Sequence, residues 1–301
     1  MKSGTTALHE YLRSMPEVCM ADPKEPFFFE CEFDKGLQFY QDKYFSHWAS
    51  EPIIGESRHQ NLYLPFIAER IKATNENSQL IVILRNPVER AYAHWWHWYS
   101  RSVEKRKFSD AIQHEYLRIN SGKGYDYQDG AKIYCDNLKE NGASLYTTYI
   151  DTGYYAKQIE KYLALFPREQ LLILFTEDLQ SDPKSTIDQI RAFLRLDPIE
   201  HHWVDKNLKI NKHKAKELPD WIRKIAAVSP LKLLNPELKS QLYRSFRNKF
   251  FQRPSIDSDT EEMLTKHFSP HNERLTQITS RDLSGWKKPF TPRSVQDAES
   301  G

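Results

Sequence analysis

The sequence is poor in the features that mark membrane-spanning, strongly charged and secreted proteins. Its longest aliphatic runs, Leu80–Leu84 and Leu171–Leu174, are far shorter than the ~20 apolar residues that cross a bilayer. The 301 residues include 43 basic and 41 acidic ones, a net charge of +2, which argues against nucleic acid as a partner. No apolar signal segment follows Met1, and any anion site must therefore be a local cluster of charge.

Cysteine is scarce as well. Cys19, Cys31 and Cys135 are the three cysteines, they lack the spacing of metal ligands, and no Asn-x-Ser/Thr acceptor occurs. Disulfides and N-glycans are typical of oxidising and secretory compartments, so their scarcity predicts a reducing one. We therefore expect a cytoplasmic protein, the alternative being the Golgi lumen if an upstream anchor has been removed.

Apolar periodicity alternates between strands and helices along the chain. Strands are predicted at 52–56, 79–84 and 171–175, and helices at 5–15, 66–72, from 87 onward, 109–119, 154–166 and 185–194. Residues 120–142 are predicted to be loop, and 197–219 form a basic, aperiodic stretch. The pattern favours an α/β fold in three layers, with a parallel sheet flanked by helices and a helical C-terminal part. No linker divides residues 1–301, which we expect to form a single domain.

The residues Lys2, Ser3, Gly4, Thr5 and Thr6 form a turn at the start of the first helix. Free backbone N–H groups and the helix dipole favour a phosphate at such a place, although an ordinary capped helix explains five residues equally well. The lysine precedes the glycine, whereas nucleotide triphosphatases need a Gly-Lys-Ser/Thr ending, so ATP hydrolysis is disfavoured. Turns of this type follow a strand, and we expect that the first strand, before residue 1, is missing.

A second anion-binding candidate, Arg85, lies where a buried strand ends and a helix begins at Asn86-Pro87. Ligands of α/β folds bind outside the carboxyl ends of strands. At this point the chain resembles the sulfotransferases that use 3'-phosphoadenosine 5'-phosphosulfate (PAPS), particularly the bacterial and heparan-sulfate-type branch. The resemblance covers nearly the whole chain. It includes the Glu-Asp-Leu turn within 163–183 and the closing helix and tryptophan at 268–286.

The resemblance implies a P-loop-like sulfotransferase fold and PAPS as co-substrate, with no metal. Lys2–Thr6 resembles the family's 5'-phosphosulfate loop, and Arg85 the arginine that holds the 3'-phosphate. Lys212 and Lys214 resemble part of a late loop that covers the nucleotide, although a solvated charge run is an equal interpretation. The family places a serine eight positions after the arginine, where this chain has Ala93, so we expect weakened donor binding.

Glu25 is the candidate general base. The segment 22–29 resembles the family stretch in which Lys-Glu precedes aromatic residues, and aromatic neighbours are expected to raise the pKa of Glu25 by desolvation. Lys2 would neutralise the leaving phosphate as the second catalytic residue. Glu56 and His59 are the next candidates for the acceptor cleft, and Tyr155 is expected to face the acceptor.

The sequence therefore favours transfer of a sulfuryl group from PAPS to an acceptor hydroxyl, by analogy on a carbohydrate or small molecule. Two alternatives stay open. A P-loop kinase would need magnesium and a carboxylate beside the loop hydroxyl, and the loop order argues against it. A catalytically impaired relative that binds a nucleotide or glycan is motivated by Ala93 and the missing strand. The sequence does not indicate an oligomeric state.

Overall fold

The computed structural model describes residues 1–101, 103–125, 130–142, 144–198 and 254–287. The helices in chain order are α1 (Thr5–Arg13), α2 (Gly36–Tyr44), α3 (Gln60–Tyr63), α4 (Ile67–Thr74), α5 (Pro87–Tyr99), α6 (Phe108–Asn120), α7 (Gly130–Asn141), α8 (Tyr155–Leu163), α9 (Thr176–Ser181), α10 (Pro183–Phe193) and α11 (Ser258–Thr279). The strands are β1 (Val18–Met20), β2 (Ile53–Gly55), β3 (Leu80–Leu84) and β4 (Leu171–Phe175). A π-helical turn spans Phe28–Glu32, and a 3-10 turn spans Asp151–Gly153.

The strands pair in parallel. β1 pairs with β2 from Val18 opposite Ile53, and β3 pairs with β4 from Leu80 opposite Leu171. In the described residues these are two separate two-stranded pairs. Parallel strands flanked by helices confirm the predicted α/β class. In the described residues the strands form two pairs and not the single parallel sheet that the sequence predicted.

Side-chain alternation along β3 and β4 produces the layers. Ile83 and Leu174 point to one face, where they pack with Leu8 of α1 and with Ile187 and Ile190 of α10. Leu84 and Phe175 belong to the opposite face, in a cluster with α8 and α11. A pleated strand sends successive side chains to opposite faces, so near-continuous apolar runs need helices on both sides. The three-layer prediction is therefore confirmed for this pair.

The predicted elements agree with the structure at most positions. The strands at 52–56, 79–84 and 171–175 and all six predicted helices are present, with ends shifted by a few residues. Five elements were not predicted: β1, the helices α2, α3 and α9, and α7, which lies inside the stretch that the sequence assigns to loop. α7 packs through Tyr134, which is buried beside the π-helical turn, so its stability comes from tertiary contact and not from a strong apolar periodicity. The basic stretch at 197–219 lies outside the described residues from 199 onward.

A disulfide joins Cys31, in the π-helical turn, to Cys135, in α7, with 5.5 Å between their Cα atoms. Cys19 is free and buried. The expectation of a reducing compartment is at odds with this bond, because disulfides persist chiefly in oxidising compartments. The two partners are 104 residues apart in sequence, so no local spacing could have predicted the pairing.

Replacing both partners, as Cys31→Ser with Cys135→Ser, is expected to lower the free energy of unfolding by about 3–5 kcal/mol, because the bond closes a loop of 104 residues. Urea unfolding monitored by tryptophan fluorescence measures the loss. Reductant should destabilise the wild-type chain by a similar amount and leave the double variant unchanged. Equal sensitivity of both proteins to reductant would contradict the disulfide.

Candidate functional site

The turn before α1 is built for a close approach of backbone to a ligand. Gly4 is the N-cap of α1 with a φ of 92°, a left-handed conformation that glycine adopts without steric cost. Ser3 is buried, and the hydroxyl of Thr176 lies 2.8 Å from its carbonyl oxygen and 2.8 Å from that of Leu84. Thr176 thereby fixes the turn to the end of β3, with the free N–H groups of α1 at its mouth.

Arg85 follows β3 directly and lies beside this turn. Its Nη1 donates to the carbonyl oxygen of Lys2 at 3.4 Å, while Nε and Nη2 donate to Oε2 of Glu89 at 3.1 and 2.8 Å. The structure thus brings together the two segments that the sequence proposed as anion sites. The Arg85 guanidinium and the N-terminus of α1 share the carboxyl end of β3, the position at which α/β folds bind ligands.

Tyr155 holds this edge together and does not face an acceptor cleft. It is 3% exposed, and its hydroxyl donates to the carbonyl oxygen of Arg85 at 2.9 Å. Its interaction with Ser3 ties the same ring to the turn. The expectation that Tyr155 contacts the acceptor is therefore wrong: its buried hydroxyl is engaged by the backbone of Arg85 and the side chain of Ser3.

The two later motifs meet at the same edge. The indole N–H of Trp286 donates to Oε1 of Glu177 at 2.9 Å, and that oxygen lies 3.4 Å from the backbone nitrogen of Asn86. Asn86 itself caps α5 by accepting from the N–H of Val88 at 2.9 Å. The Glu-Asp-Leu turn and the closing tryptophan therefore act as braces for the residue next to Arg85.

Glu25 lies in a strained backbone conformation beside several cations. Its φ is 67°, which a residue with a Cβ rarely adopts, and Nη1 of Arg58 donates to its carbonyl oxygen at 3.0 Å. Lys24 contacts its carboxylate at 2.8 Å and His59 at 3.6 Å. The Glu25 carboxylate lies within electrostatic range of Met1, which precedes the anion-binding turn.

These neighbours set the ionisation of the group. The His59 imidazole and then the Lys24 ammonium hold the pKa of Glu25 well below its usual range, although burial acts in the opposite direction. Burial lowers the pKa of His59 to about 4, so this imidazole is neutral at neutral pH. The expected rise in the pKa of Glu25 is therefore wrong in direction, because close polar partners outweigh desolvation.

A buried ion pair that the sequence did not reveal supports Glu25. Glu30 is fully buried and accepts from both Nε and Nη2 of Arg58, the latter at 2.8 Å, and from the Tyr134 hydroxyl at 3.0 Å. Arg58 thus connects Glu30 to the backbone of Glu25. In the sequence, Glu30 is one of several acidic residues in an aromatic segment, and nothing there marks it as buried. Its role becomes visible only from its contact with Tyr134 of α7, 104 residues later.

Glu56 is turned away from Glu25. Its carboxylate accepts from the hydroxyl of Tyr40 and from the amide of Asn61 at 2.5 Å, and burial raises its pKa to about 7. Both oxygens of the Glu56 carboxylate are thus engaged in hydrogen bonds inside the fold. Of the two further candidates for the acceptor cleft, only His59 contacts Glu25.

The remaining sequence candidates divide into two groups. Ala93 is buried in α5, and its methyl side chain supplies no hydroxyl at the family's serine position. Lys212 and Lys214 lie outside the described residues. Within the described part of the chain, no three His, Cys, Asp or Glu side chains gather as a metal site requires, and no helix there is long and apolar enough to cross a bilayer.

Comparison with known proteins identifies the family. Residues 1–226 match the family model described as a sulfotransferase domain, which is more than half of the chain. This chain belongs to the sulfotransferase domain family. The anion-binding turn and Arg85 lie within the matched residues, and Trp286 lies beyond them.

Several curated relatives are sulfotransferases. The chain is 29% identical over 292 residues to human heparan sulfate glucosamine 3-O-sulfotransferase 3B1, covering 95% of this chain and 62% of the relative. It is 24% identical over 309 residues to the membrane-associated sulfotransferase kil1 of Dictyostelium discoideum, covering 82% of this chain and 64% of that protein. The chain thus spans less than two thirds of the length of these relatives.

A solved structure shares the fold. A sulfotransferase from Alicyclobacillus acidocaldarius superposes with a TM-score of 0.62 at 22% identity, covering 95% of this chain and 94% of that one. At this identity the likeness concerns the arrangement of strands and helices. It therefore agrees with the α/β architecture described above.

Glu56→Gln is expected to remove a loss of stability that the wild type suffers as the pH rises. The pKa of Glu56 is about 7 in the folded state and near 4.5 in the unfolded state, so the folded state holds the proton more tightly. The wild-type free energy of unfolding is therefore highest below pH 4.5 and falls as the pH rises through 7. Between pH 5 and pH 8 the wild-type free energy of unfolding should fall by about 2–3 kcal/mol relative to the variant. Urea titrations at both pH values measure this difference, with the exposed Glu69→Gln as the matched control. Parallel pH dependences of wild type and Glu56→Gln would contradict it.

Proposed function

We propose that residues 1–301 form one sulfotransferase domain that moves a sulfuryl group from PAPS to a carbohydrate hydroxyl. The observation that carries this proposal is the contact between Arg85 and the turn Lys2–Thr6 at the carboxyl end of β3. Two adjacent anion sites suit a nucleotide with phosphates on both sides of its ribose. ATP offers one continuous phosphate chain and no second anion.

The donor would lie across these two segments. The N–H groups at the start of α1 and the hydroxyls of Thr5 and Thr6 would bind the 5'-phosphosulfate, and Arg85 would bind the 3'-phosphate. Glu89 now engages the guanidinium of Arg85 and would orient it when the phosphate arrives. Ala93 leaves this site one hydroxyl donor short, which predicts weaker donor binding than a serine would give.

The transfer itself needs a base on the acceptor side and positive charge on the donor side. A bond forms between the acceptor oxygen and sulfur, the bond from sulfur to the bridging oxygen breaks, and the acceptor proton passes to the carboxylate of Glu25. Negative charge grows on the leaving 5'-phosphate. Lys2 and the N–H groups of α1 would stabilise that charge, because fixed positive groups act most effectively where charge develops in the transition state.

Three features of Glu25 support its assignment as the base. It is ionised at neutral pH because its pKa is held low, its backbone is held in a left-handed conformation by Arg58, and its carboxylate is close to the turn. Strained residues persist where the surrounding structure over-determines them, and they cluster at active sites. The low pKa makes Glu25 a weak base, so its contribution depends on positioning more than on proton affinity.

The acceptor and the compartment follow from different observations. Relatives whose names specify heparan sulfate glucosamine support a sugar hydroxyl as the acceptor. The scarcity of cysteine favoured the cytoplasm. The disulfide between Cys31 and Cys135 supports an oxidising compartment instead.

Glu25→Gln should lower turnover by roughly 10²–10⁴-fold, the effect of a positioned general base, while preserving side-chain size. Because the pKa of Glu25 is held well below its usual range, the wild-type rate should not fall through Glu25 protonation near the ordinary carboxylate pKa of 4.5. Turnover of radiolabelled PAPS with an oligosaccharide acceptor measures both effects. Glu69→Gln, with the same charge change on α4, should keep the wild-type rate. Near-native turnover of Glu25→Gln would place the base elsewhere.

Arg85→Ala should weaken binding of 3',5'-bisphosphoadenosine by at least roughly tenfold and leave binding of adenosine 5'-monophosphate almost unchanged. The lost interaction is a charge-assisted one to the 3'-phosphate alone. Titration calorimetry with the two nucleotides measures the ratio, and Arg13→Ala, at the other end of α1, controls for charge. A similar loss for both nucleotides would show that Arg85 does not read the 3'-phosphate.

A further inference from the structure

The two carboxylate oxygens of Glu25 have different surroundings. Oε1 lies 2.8 Å from Nζ of Lys24 and 3.6 Å from Nδ1 of His59. Oε2 faces Nη1 of Arg58 at 4.0 Å, which is longer than a hydrogen bond. The side chain of Glu25 is 35% exposed. One oxygen is therefore anchored by two partners, while the other keeps its lone pairs for a proton that comes from a ligand.

The two partners of Oε1 differ in how firmly they hold it. The ammonium of Lys24 is a compact charge on a flexible four-carbon stem, and it belongs to the residue next to Glu25, so it can follow the carboxylate as it turns. The imidazole of His59 is a rigid ring, and its side chain is only 16% exposed. His59 is therefore the partner that can fix the direction of the carboxylate.

The tautomer of His59 follows from its surroundings. Burial lowers the pKa of His59 to about 4, so the ring is neutral at neutral pH and carries one N–H. A carboxylate oxygen only accepts hydrogen bonds, so the nitrogen that faces Oε1 of Glu25, Nδ1, carries that hydrogen. The contact thus has a fixed polarity, from the imidazole to the carboxylate.

His59 is itself held from both sides. Nη2 of the preceding Arg58 donates to Glu30 at 2.8 Å, and the amide of the following Gln60 donates to the hydroxyl of Tyr134 at 3.2 Å. That hydroxyl donates in turn to Glu30 at 3.0 Å. The two neighbours of His59 in sequence therefore bind the same buried pair, and the backbone of His59 cannot shift without breaking one of these contacts.

Several charged or titratable groups from different segments face the Glu25 carboxylate. They are Lys24, Arg58, His59, the amino group of Met1 and, with opposite sign, the buried Glu30. Among the groups that lower the pKa of Glu25, the His59 imidazole contributes most, ahead of Lys24, and burial acts against both. Removing the imidazole should therefore raise the pKa of Glu25.

We propose that His59 is a positioning residue, which donates from Nδ1 to Oε1 of Glu25 and thereby directs Oε2 towards the acceptor hydroxyl. In the transfer step the hydroxyl proton passes to Oε2, the acceptor oxygen bonds to sulfur, and the bond from sulfur to the bridging oxygen breaks. The imidazole neither gains nor loses a proton. The proposal rests on the proposed function, since it assigns the orientation of the base in that same reaction.

The test compares two substitutions of His59 with a control. His59→Leu removes the donor and keeps an apolar side chain, whereas His59→Asn keeps an N–H donor on a side chain that cannot titrate. The control is His114→Asn, at an exposed position of α6. Turnover of radiolabelled PAPS with an oligosaccharide acceptor gives kcat and KM at several pH values, and titration calorimetry with 3',5'-bisphosphoadenosine reports on the donor side.

His59→Leu should lower kcat by roughly 10- to 100-fold, the effect of a misdirected reacting group. The KM for PAPS and the affinity for the bisphosphate should stay within about twofold, because His59 does not contact the donor segments. The loss of kcat should grow as the pH falls from neutrality, since the pKa of Glu25 is raised in this variant. His59→Asn should recover most of the rate, and His114→Asn should match the wild type.

A double variant shows whether His59 acts through Glu25. Glu25→Gln combined with His59→Leu should be no slower than Glu25→Gln alone, because the imidazole has no carboxylate left to direct. Four results would overturn the positioning role. They are losses that multiply in the double variant, a kcat of His59→Leu at or above that of the wild type, equal losses in His59→Leu and His59→Asn, or a parallel loss of bisphosphate affinity.

The failure of this proposal can be distinguished from failure of the proposed function. Impaired turnover of Glu25→Gln together with a near-native rate of His59→Leu leaves Glu25 as the base and overturns only the role of His59. Near-native turnover of Glu25→Gln overturns the assignment of the base, and the positioning role with it.

Discussion

The acceptor side of the molecule depends on matching one buried carboxylate, Glu30, with one buried guanidinium, Arg58. Removing either partner of such a pair strands a charge in a low-dielectric interior, at a typical cost of about 3–5 kcal/mol. Arg58 can satisfy Glu30 only if the segments after β1 and β2 lie side by side, which their parallel pairing ensures. The same guanidinium then has a third nitrogen for the backbone of Glu25. The residue that neutralises the buried Glu30 carboxylate therefore also fixes the backbone of the proposed base.

The donor side depends on backbone anchoring rather than on buried charge. Thr176 and Tyr155 bind the carbonyl oxygens of the turn and of Arg85 from two different elements, β4–α9 and α8. These anchors hold the backbone of both segments, while the guanidinium of Arg85 pairs with the part-exposed carboxylate of Glu89. An exposed or part-exposed ion pair is worth little, so in the proposed function a nucleotide phosphate could replace Glu89 at small cost.

Most of the donor side could be predicted from sequence, and most of the acceptor side could not. The Arg85 site is local: an apolar strand, an arginine and an Asn-Pro helix start follow one another in the chain. The acceptor side joins Glu30 to Tyr134 and Cys31 to Cys135, more than a hundred residues apart. Periodicity carries no information about such pairs. The pKa of Glu25 was mispredicted for the same reason, because its direction is set by His59, from another segment.

α3 connects the proposed base to the rest of the fold. The helix is only four residues long, yet its N-cap His59 contacts Glu25 and its last residue, Tyr63, reaches Asp151. A helix this short has little stability of its own, so its orientation comes from its contacts: the amide of Gln60 donates to Tyr134, and Tyr63 donates to Asp151. The first contact belongs to the Glu30 network and the second to the Arg118 ion pair. The orientation of α3 therefore depends on both buried networks, and through His59 the position of the proposed base depends on them as well.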